Sequence, residues 1–232
     1  MSTKIPTVPK HVGFIMDGNR RWAKSQGLSS LRGHQQGRHT FKRVLEWCLR
    51  KGINVVTVFA FSNENWNRPK QEIGYLMRLC QRVIKDELGQ LHAQNIKFNV
   101  LGRLEQLPIA LQQQLREAME VTKQNTKAVL NLALNYGGRA ELVDAFKRMV
   151  AGGVDPAQIT EATITQNLYD GSLPDPDLII RTSGEQRTSG FLLWEAAYAE
   201  LYFTNKRWPE LSDQDLDKAL ADYAKRKRNF GA

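Results

Sequence analysis

Four short stretches of this 232-residue chain carry the side chains that recognise anions, and each one follows an apolar run. Asp17-Gly18-Asn19-Arg20-Arg21-Trp22 follows HVGFIM, and Ser62-Asn63-Glu64-Asn65-Trp66-Asn67-Arg68 follows INVVTVFAF. Asn135-Tyr136-Gly137-Gly138-Arg139 follows AVLNLAL, and the segment from Arg181 to Ser189 follows DLII. A guanidinium offers a rigid fork of donors that matches a phosphate or carboxylate, and it is costly to place where nothing accepts them. Four arginine-bearing loops in equivalent positions therefore indicate an anionic ligand.

The individual residues admit more than one reading. Asp17 before Gly18 suits an Asx turn or helix N-cap. It equally suits a carboxylate holding Mg²⁺, with Gly18 and the next amides cradling phosphate oxygens at a helix N-terminus and Arg20 and Arg21 beside them. His34, in the glycine-bounded stretch Arg32-Gly33-His34, reads as a loop residue that is either structural or a phosphate donor. In the Ser62–Arg68 knot, Ser62 and Arg68 are the favoured ligand contacts; Asn65 is a poor proton acceptor without help from a neighbour. Arg181, Arg187 and Ser189 around Gly184 read as a clamp for one diphosphate. Glu200, an acid inside YAELY, must pair with an arginine or bind metal, because an unpaired buried charge is expensive.

These loops need a scaffold that brings them together. Apolar runs at His11–Asp17, Ile53–Ser62, Ile96–Gly102, Ala128–Asn135, Asp177–Thr182 and Ala199–Phe203 read as strands buried on both faces. Helical periodicity fills the gaps at Gln36–Lys51, along Ile73–Leu91, and at Leu104–Lys123, Arg139–Val150 and Asp213–Arg228. Such alternation predicts an α/β fold, an open and mostly parallel sheet of about six strands flanked by helices, in one domain over 1–232. In sheets of this kind ligands bind beyond the carboxyl ends of the strands, where the four loops lie.

Composition bounds the function. Apolar residues make up 41% and charged residues 25%, an ordinary globular balance. No run is long enough to cross a membrane, and MSTKIPTVPK lacks the apolar centre of a signal peptide, so a cytoplasmic protein is expected. Cys48 and Cys80 fall on apolar helix faces with no CxxC pattern and read as core residues. The net charge of +9 suits nucleic acid, an anionic membrane surface or an anionic small substrate. Its densest run, Lys225-Arg226-Lys227-Arg228, reads as the charged end of a final helix. Motifs for nucleoside triphosphates, dinucleotides, zinc proteolysis and serine hydrolysis are absent.

The stretches HVGFIMDGNRRWAK, Gly33-His34, TVFAFSNENWNRP, LNYGGR, DLIIRTSGEQRTSGFLLWEAAYAELYF and Trp208-Pro209 closely resemble the cis-prenyltransferases, the undecaprenyl diphosphate synthase family, nearly from end to end. The resemblance implies a homodimer with an apolar tunnel that condenses isopentenyl diphosphate onto an allylic diphosphate such as farnesyl diphosphate, with Mg²⁺, in cis. It implies undecaprenyl diphosphate, a carrier lipid for cell-wall glycan synthesis, as product. Asp17 becomes the essential carboxylate and a metal ligand, and Gly18, Asn19, Arg20, Arg21 and Trp22 surround the allylic diphosphate with His34 nearby. Ser62, Asn63 and Glu64 line the site, Asn65 is the proton acceptor, and Trp66 and Arg68 contact substrate. Arg181, Arg187, Thr188 and Ser189 take the isopentenyl diphosphate, and Glu200 is a second metal ligand.

This chain departs from the family pattern at Ser30, where an arginine is usual among the substrate contacts, at Gln186 in place of histidine and at Gly190 in place of asparagine. Helices 36–51 and 70–92 carry the apolar stripes that are candidate tunnel walls, although core packing accounts for most of their residues. Two other functions compete. A nucleic-acid-binding module would cluster its basic residues on one face with stacking aromatics, whereas these arginines are dispersed beside acids. A catalytically idle partner subunit would be expected to lose Asp17, which is present. No nucleic acid partner is expected, and the release of a lipid product implies transient contact with the inner membrane face.

Overall fold

The computed structural model describes residues 8–226. Its six strands are β1 (His11–Ile15), β2 (Val55–Ser62), β3 (Ile96–Leu101), β4 (Ala128–Tyr136), β5 (Leu178–Arg181) and β6 (Glu200–Phe203). Each lies within or close to its expected apolar run. They form one sheet in the order β3-β4-β2-β1-β5-β6. The pairings β1 with β5, β3 with β4 and β5 with β6 are all parallel. Valine, isoleucine and leucine dominate these strands because a parallel strand is covered on both faces; every residue of β1 and of β5 is buried.

Seven α-helices are described: α1 (Asn19–Ser25), α2 (Ser30–Arg50), α3 (Lys70–Ala93), α4 (Ile109–Thr122), α5 (Gly138–Ala151), α6 (Glu161–Gln166) and α7 (Asp213–Lys225). The periodicity reading does not give α1 or α6, and it differs at two further places. The expected Leu104–Lys123 helix is a 3₁₀ turn over Leu104–Gln106 followed by α4, because Pro108 precedes the first helical residue. The glycine-bounded stretch around His34 is helical, and α2 already begins at Ser30. Its glycines serve packing: a Cβ on Gly33 would come within 2.2 Å of the Asn19 carbonyl oxygen, and one on Gly37 within 2.4 Å of Asn19 Oδ1. They let α1 lie directly against α2. Lys227 and Arg228 of the basic run lie outside the described residues.

The chain forms two compact units. The first comprises Met1–Thr57, Pro176–Arg187 and Ala199–Ala232, and the second Val58–Asp175 with Thr188–Tyr198. In the first, Val12, Phe14, Ile179 and Ile180 are buried with Trp47, Cys48 and Trp208. Phe14 meets Trp208 edge-on at 6.1 Å, and the Trp208 indole N–H donates to the Gly37 carbonyl at 2.9 Å, so a large aromatic is buried with its one polar atom satisfied. In the second, Phe98, Leu130, Leu111, Leu115, Tyr136 and Phe191 are buried. Phe191 stacks on Phe59 at 4.9 Å, with Tyr136 edge-on to both. Both cysteines are free, and burial pushes the Cys48 thiol far above its ordinary range.

Candidate active site

In the first unit, β1 and β5 pair with Ile15 opposite Arg181, so Asp17 emerges two residues beyond that partner. The chain leaving β1 goes on to β2 on one side of it, and the chain leaving β5 goes to β6 on the other. Adjacent strands whose connections diverge leave a crevice at their carboxyl ends, the standard ligand position in such sheets.

Asp17 is fixed by its backbone and by its carboxylate. Its N–H donates to Ile15 O at 2.9 Å, and its carbonyl accepts from the Thr182 hydroxyl at 2.7 Å and from Trp208 N–H at 2.9 Å. Oδ1 accepts from Gly18 N–H at 2.7 Å, while Oδ2 meets Arg21 at 3.2 Å and Arg181 at 3.1 Å. The Arg181 side chain is only 6% exposed, and its other terminal nitrogen donates to the Arg187 carbonyl at 2.6 Å. Glu185 then joins the remaining cations: it accepts from Arg21 at 3.0 Å and from Arg187 at 2.5 Å. Hydrogen bonding and attraction from Arg187, with a smaller part from Arg21, hold the Glu185 carboxyl below its usual range. Three guanidiniums and two carboxylates thus form one knot around the β1 and β5 ends.

Backbone conformation shapes this knot. Gly18 has φ +102°, and a Cβ there would lie 2.8 Å from Ser183 Oγ and 2.9 Å from Arg207 Cβ. Ser183 itself sits at φ +78°, held by its N–H to Lys206 O at 2.7 Å. Strained residues persist only where surrounding bonds over-determine them, and they concentrate at functional sites. Arg20 is exposed and Trp22 half-buried on α1, while Ser30 opens α2 and His34 follows one turn later. Asp17 makes a bond to the next amide, as the turn reading expects, but the N-cap of α1 is Gly18. Glu200 pairs with Arg226 at 2.7 Å, and Arg226 also pairs with Asp222, so Arg226 does more than terminate a helix.

The second unit gathers the other predicted residues. Asn63–Asn67 form a 3₁₀ turn after β2, with Ser62 N–H donating to Asn65 Oδ1 at 3.3 Å. Trp66 packs edge-on against Phe61 at 5.3 Å and donates its indole N–H to Asn135 Oδ1 at 2.7 Å. A Cβ on Gly137 would lie 2.9 Å from Asn63 Nδ2, so this turn and the β4–α5 turn are in close contact. Gly138 N–H donates to Gly190 O at 3.0 Å, which brings in the segment that starts at Thr188 and Ser189. Arg68 pairs with Glu72 at 3.3 Å, and Glu64 is exposed. Glu185, Thr182 and Ser183 were not singled out from sequence. For Glu185 the available signal was an acid two residues before Arg187 in an otherwise cationic loop.

The family model described as "Putative undecaprenyl diphosphate synthase" matches residues 15–231. This chain belongs to the undecaprenyl diphosphate synthase family. It is 46% identical over 224 residues to an isoprenyl transferase of Fusobacterium nucleatum, covering 97% of this chain and 96% of that protein. An isoprenyl transferase of Thermotoga maritima is 45% identical over 227 residues, covering 97% of both. Among solved structures, lavandulyl diphosphate synthase from Lavandula x intermedia, in complex with dimethylallyl diphosphate, superposes with a TM-score of 0.94 at 37% identity. That match covers 97% of this chain and 99% of the other. A probable undecaprenyl diphosphate synthase from Campylobacter jejuni gives 0.82 at 32% identity, with the same coverage. The chain is therefore a cis-prenyltransferase, an enzyme that transfers prenyl groups, as the strand-end motifs implied. Among the described residues no helix is long and apolar enough to cross a membrane.

Proposed function

We propose that this enzyme condenses isopentenyl diphosphate with an allylic diphosphate, farnesyl diphosphate, building a cis-polyprenyl diphosphate of the undecaprenyl type that serves as carrier lipid in cell-wall synthesis. The observation that carries this reading is the knot of Asp17, Arg21, Arg181, Glu185 and Arg187 at the divergence of β1 and β5. Arg21 and Arg187 are already drawn inward by carboxylates, so they can exchange those partners for diphosphate oxygens with little reorganisation. Preorganised donors of this kind stabilise charge that develops on a leaving group, usually the largest catalytic term. The isopentenyl double bond attacks the allylic carbon as the bond to the departing diphosphate breaks, and loss of a proton leaves the new cis double bond. Asn65 is the proposed acceptor, and because its amide oxygen is weakly basic and already accepts from Ser62 N–H, it requires a neighbouring group to take the proton on.

Mg²⁺ is the proposed cofactor. Mg²⁺ usually keeps several waters and takes one or two carboxylates together with substrate phosphate oxygens. Asp17, a carboxylate 31% exposed at the mouth of the knot, fits that demand. The ion would neutralise charge on the leaving diphosphate. Glu200 would have to release Arg226 to act as the second ligand.

The remaining proposals have their own support. On α3, Ile73, Leu76, Cys80, Val83, Leu88 and Leu91 are only half-buried, so this stripe has apolar surface to line a tunnel. On α2, Val44, Leu45 and Cys48 are buried and serve the core. Val143, Phe146 and Val150 leave an exposed apolar stripe on α5, which supports the homodimer. A cytoplasmic location with transient contact at the inner membrane face follows from the proposed lipid product.

The test is incubation with labelled isopentenyl diphosphate, Mg²⁺ and either farnesyl or dimethylallyl diphosphate, followed by sizing of the lipid product. Long-chain product from farnesyl diphosphate that disappears in Asp17→Ala is expected. Absence of incorporation, or incorporation indifferent to Asp17, overturns the proposal.

A further inference from the structure

Two carboxylates are buried in the second unit without an ion-pair partner among the described residues. Glu141, on the first turn of α5, is 1% exposed, and Glu195, in the segment after Gly190, is 3% exposed. Glu141 is well supplied with donors: Oε2 accepts from the Tyr136 hydroxyl at 2.5 Å and Oε1 from Tyr169 N–H at 3.1 Å. Glu195 is not, and its Oε2 is buried with no hydrogen-bond partner. The charges around it have the wrong sign for an anion. Glu141 and Asp175 both repel it, while the backbone amides of Glu195 and Trp194 favour the ionised form. Arg148 attracts Glu141, which also feels repulsion from Asp144. The Arg148 guanidinium is occupied by the Asn167 carbonyl at 2.8 Å and lies over the Tyr169 ring at 5.3 Å. An unpaired buried carboxylate costs several kcal/mol, whereas the neutral acid costs little more than a buried hydroxyl. Two buried acids that repel each other therefore retain at least one proton.

The segment that carries Glu195 is under backbone strain. Ser189, Gly190 and Leu192 all have positive φ, at +53°, +76° and +46°. It is held against β4 and α5 by close approach, since a Cβ on Gly138 would lie 2.3 Å from Leu193 Cβ and 2.5 Å from Gly190 O. Trp194 adds a bond from its indole N–H to Thr165 Oγ1 at 3.0 Å. A negative charge on Glu195 would push this segment off Glu141, and Thr188 and Ser189 are its opposite end.

We propose that Glu195 is kept protonated in the folded enzyme, and that this neutral carboxyl is a positioning group for Thr188 and Ser189. It acts through the packing of its own segment and does not touch substrate. The positioning half rests on the proposed isopentenyl diphosphate reading; the protonation half does not.

The test compares the full-length enzyme with Glu195→Gln, a neutral isostere. Burial, then repulsion from Glu141, pushes the Glu195 carboxyl up to about 8 from an ordinary 4.5. A group whose folded value is raised contributes stability that is complete below 4.5 and is lost as pH rises through 8. Thermal unfolding should show the Gln variant gaining on the wild type from pH 5 to 8, with a constant gap above. At pH 7 the wild type should show the infrared stretch of a protonated carboxyl that the variant lacks. A gap that does not change with pH, a missing infrared difference, or a Gln variant that fails to fold overturns the protonation. For the positioning role, wild-type KM for isopentenyl diphosphate should rise about tenfold from pH 7 to 9, one ionisation at work. The Gln variant should lack that rise, and KM for farnesyl diphosphate should follow the same course in both. Identical isopentenyl profiles overturn the positioning role. If no substrate is turned over at all, the functional reading fails while the unfolding and infrared measurements still decide the protonation.

Discussion

A single oxygen of Asp17, Oδ2, faces Arg21 at 3.2 Å and the buried guanidinium of Arg181 at 3.1 Å. The contact with Arg181 joins the ends of two paired strands, and the carboxylate has a structural duty in addition to any chemical one. Removing it takes the carboxylate away from a cation that is almost fully enclosed.

Asp17→Ala should therefore lower both activity and stability. Turnover should fall by on the order of 10²–10³-fold, the size of effect seen when one preorganised charge-stabilising group is removed from an active site. Unfolding free energy should drop by about 1–2 kcal/mol, less than for a fully buried pair because Asp17 is partly open to solvent. Adding Arg181→Met should recover part of the stability and none of the turnover. Urea denaturation of both variants beside the product assay separates the effects, and full stability in Asp17→Ala would contradict the role given to the pair.

Gly18→Ala places a methyl where Ser183 and Arg207 already stand, at a φ of +102°. A loss of about 1–3 kcal/mol is expected from the backbone alone. Because the clash pushes on Ser183, KM for the diphosphate substrate should rise as well. Wild-type unfolding and KM in this variant would show that the turn is looser than described.

The second unit contains an acid whose pairing governs its low-pH behaviour. Asp144 is bonded twice by Arg103, at 2.7 and 2.9 Å, and once by the Tyr169 hydroxyl at 2.7 Å. Hydrogen bonding from Arg103 first, then from Tyr169, holds its carboxyl below the ordinary 3.8. A depressed group contributes stability that is complete above the unfolded value and is lost as pH falls through the folded one. Asp144→Asn should be less stable than wild type at pH 6, and the difference should shrink below pH 3.8. Chemical denaturation at several acidic pH values measures it; a gap that stays constant or widens on acidification contradicts the pairing.

Chelation offers a separate check. Removing divalent cations with EDTA should abolish product formation and leave far-UV circular dichroism unchanged, because the cores of both units are packed from buried apolar side chains. Activity that survives chelation would remove Mg²⁺ from the proposal. Glu200→Gln should weaken Mg²⁺ dependence only if Glu200 leaves Arg226 during catalysis.

The strands were legible because a parallel strand buried on both faces leaves an uninterrupted apolar run, as in DLII, and the strand-end arginines could be read from their position after such runs. The helical state of Ser30–His34 was hidden because Gly33 reads as a breaker, when its work is to admit the backbone of Asn19. Asp17 and Arg181 were both marked as site residues, yet their contact depends on strand order, which no local spacing encodes. The same holds for Glu185 between Arg21 and Arg187, and for Glu200 with Arg226. Glu195 escaped notice because an acid in LLWEAAY is unremarkable until its neighbours prove to be acids too.

The first unit is assembled from three separated stretches, Met1–Thr57, Pro176–Arg187 and Ala199–Ala232. During synthesis its opening stretch leaves the ribosome well before β5 exists, and β1 must wait without the neighbour that supplies Arg181. Contacts so distant along the chain form late and slowly. The Asp17–Arg181 contact is thus completed only once β5 has emerged, so a chain cut short before β5 presents Asp17 and Arg21 without the guanidinium that ties them to the next strand.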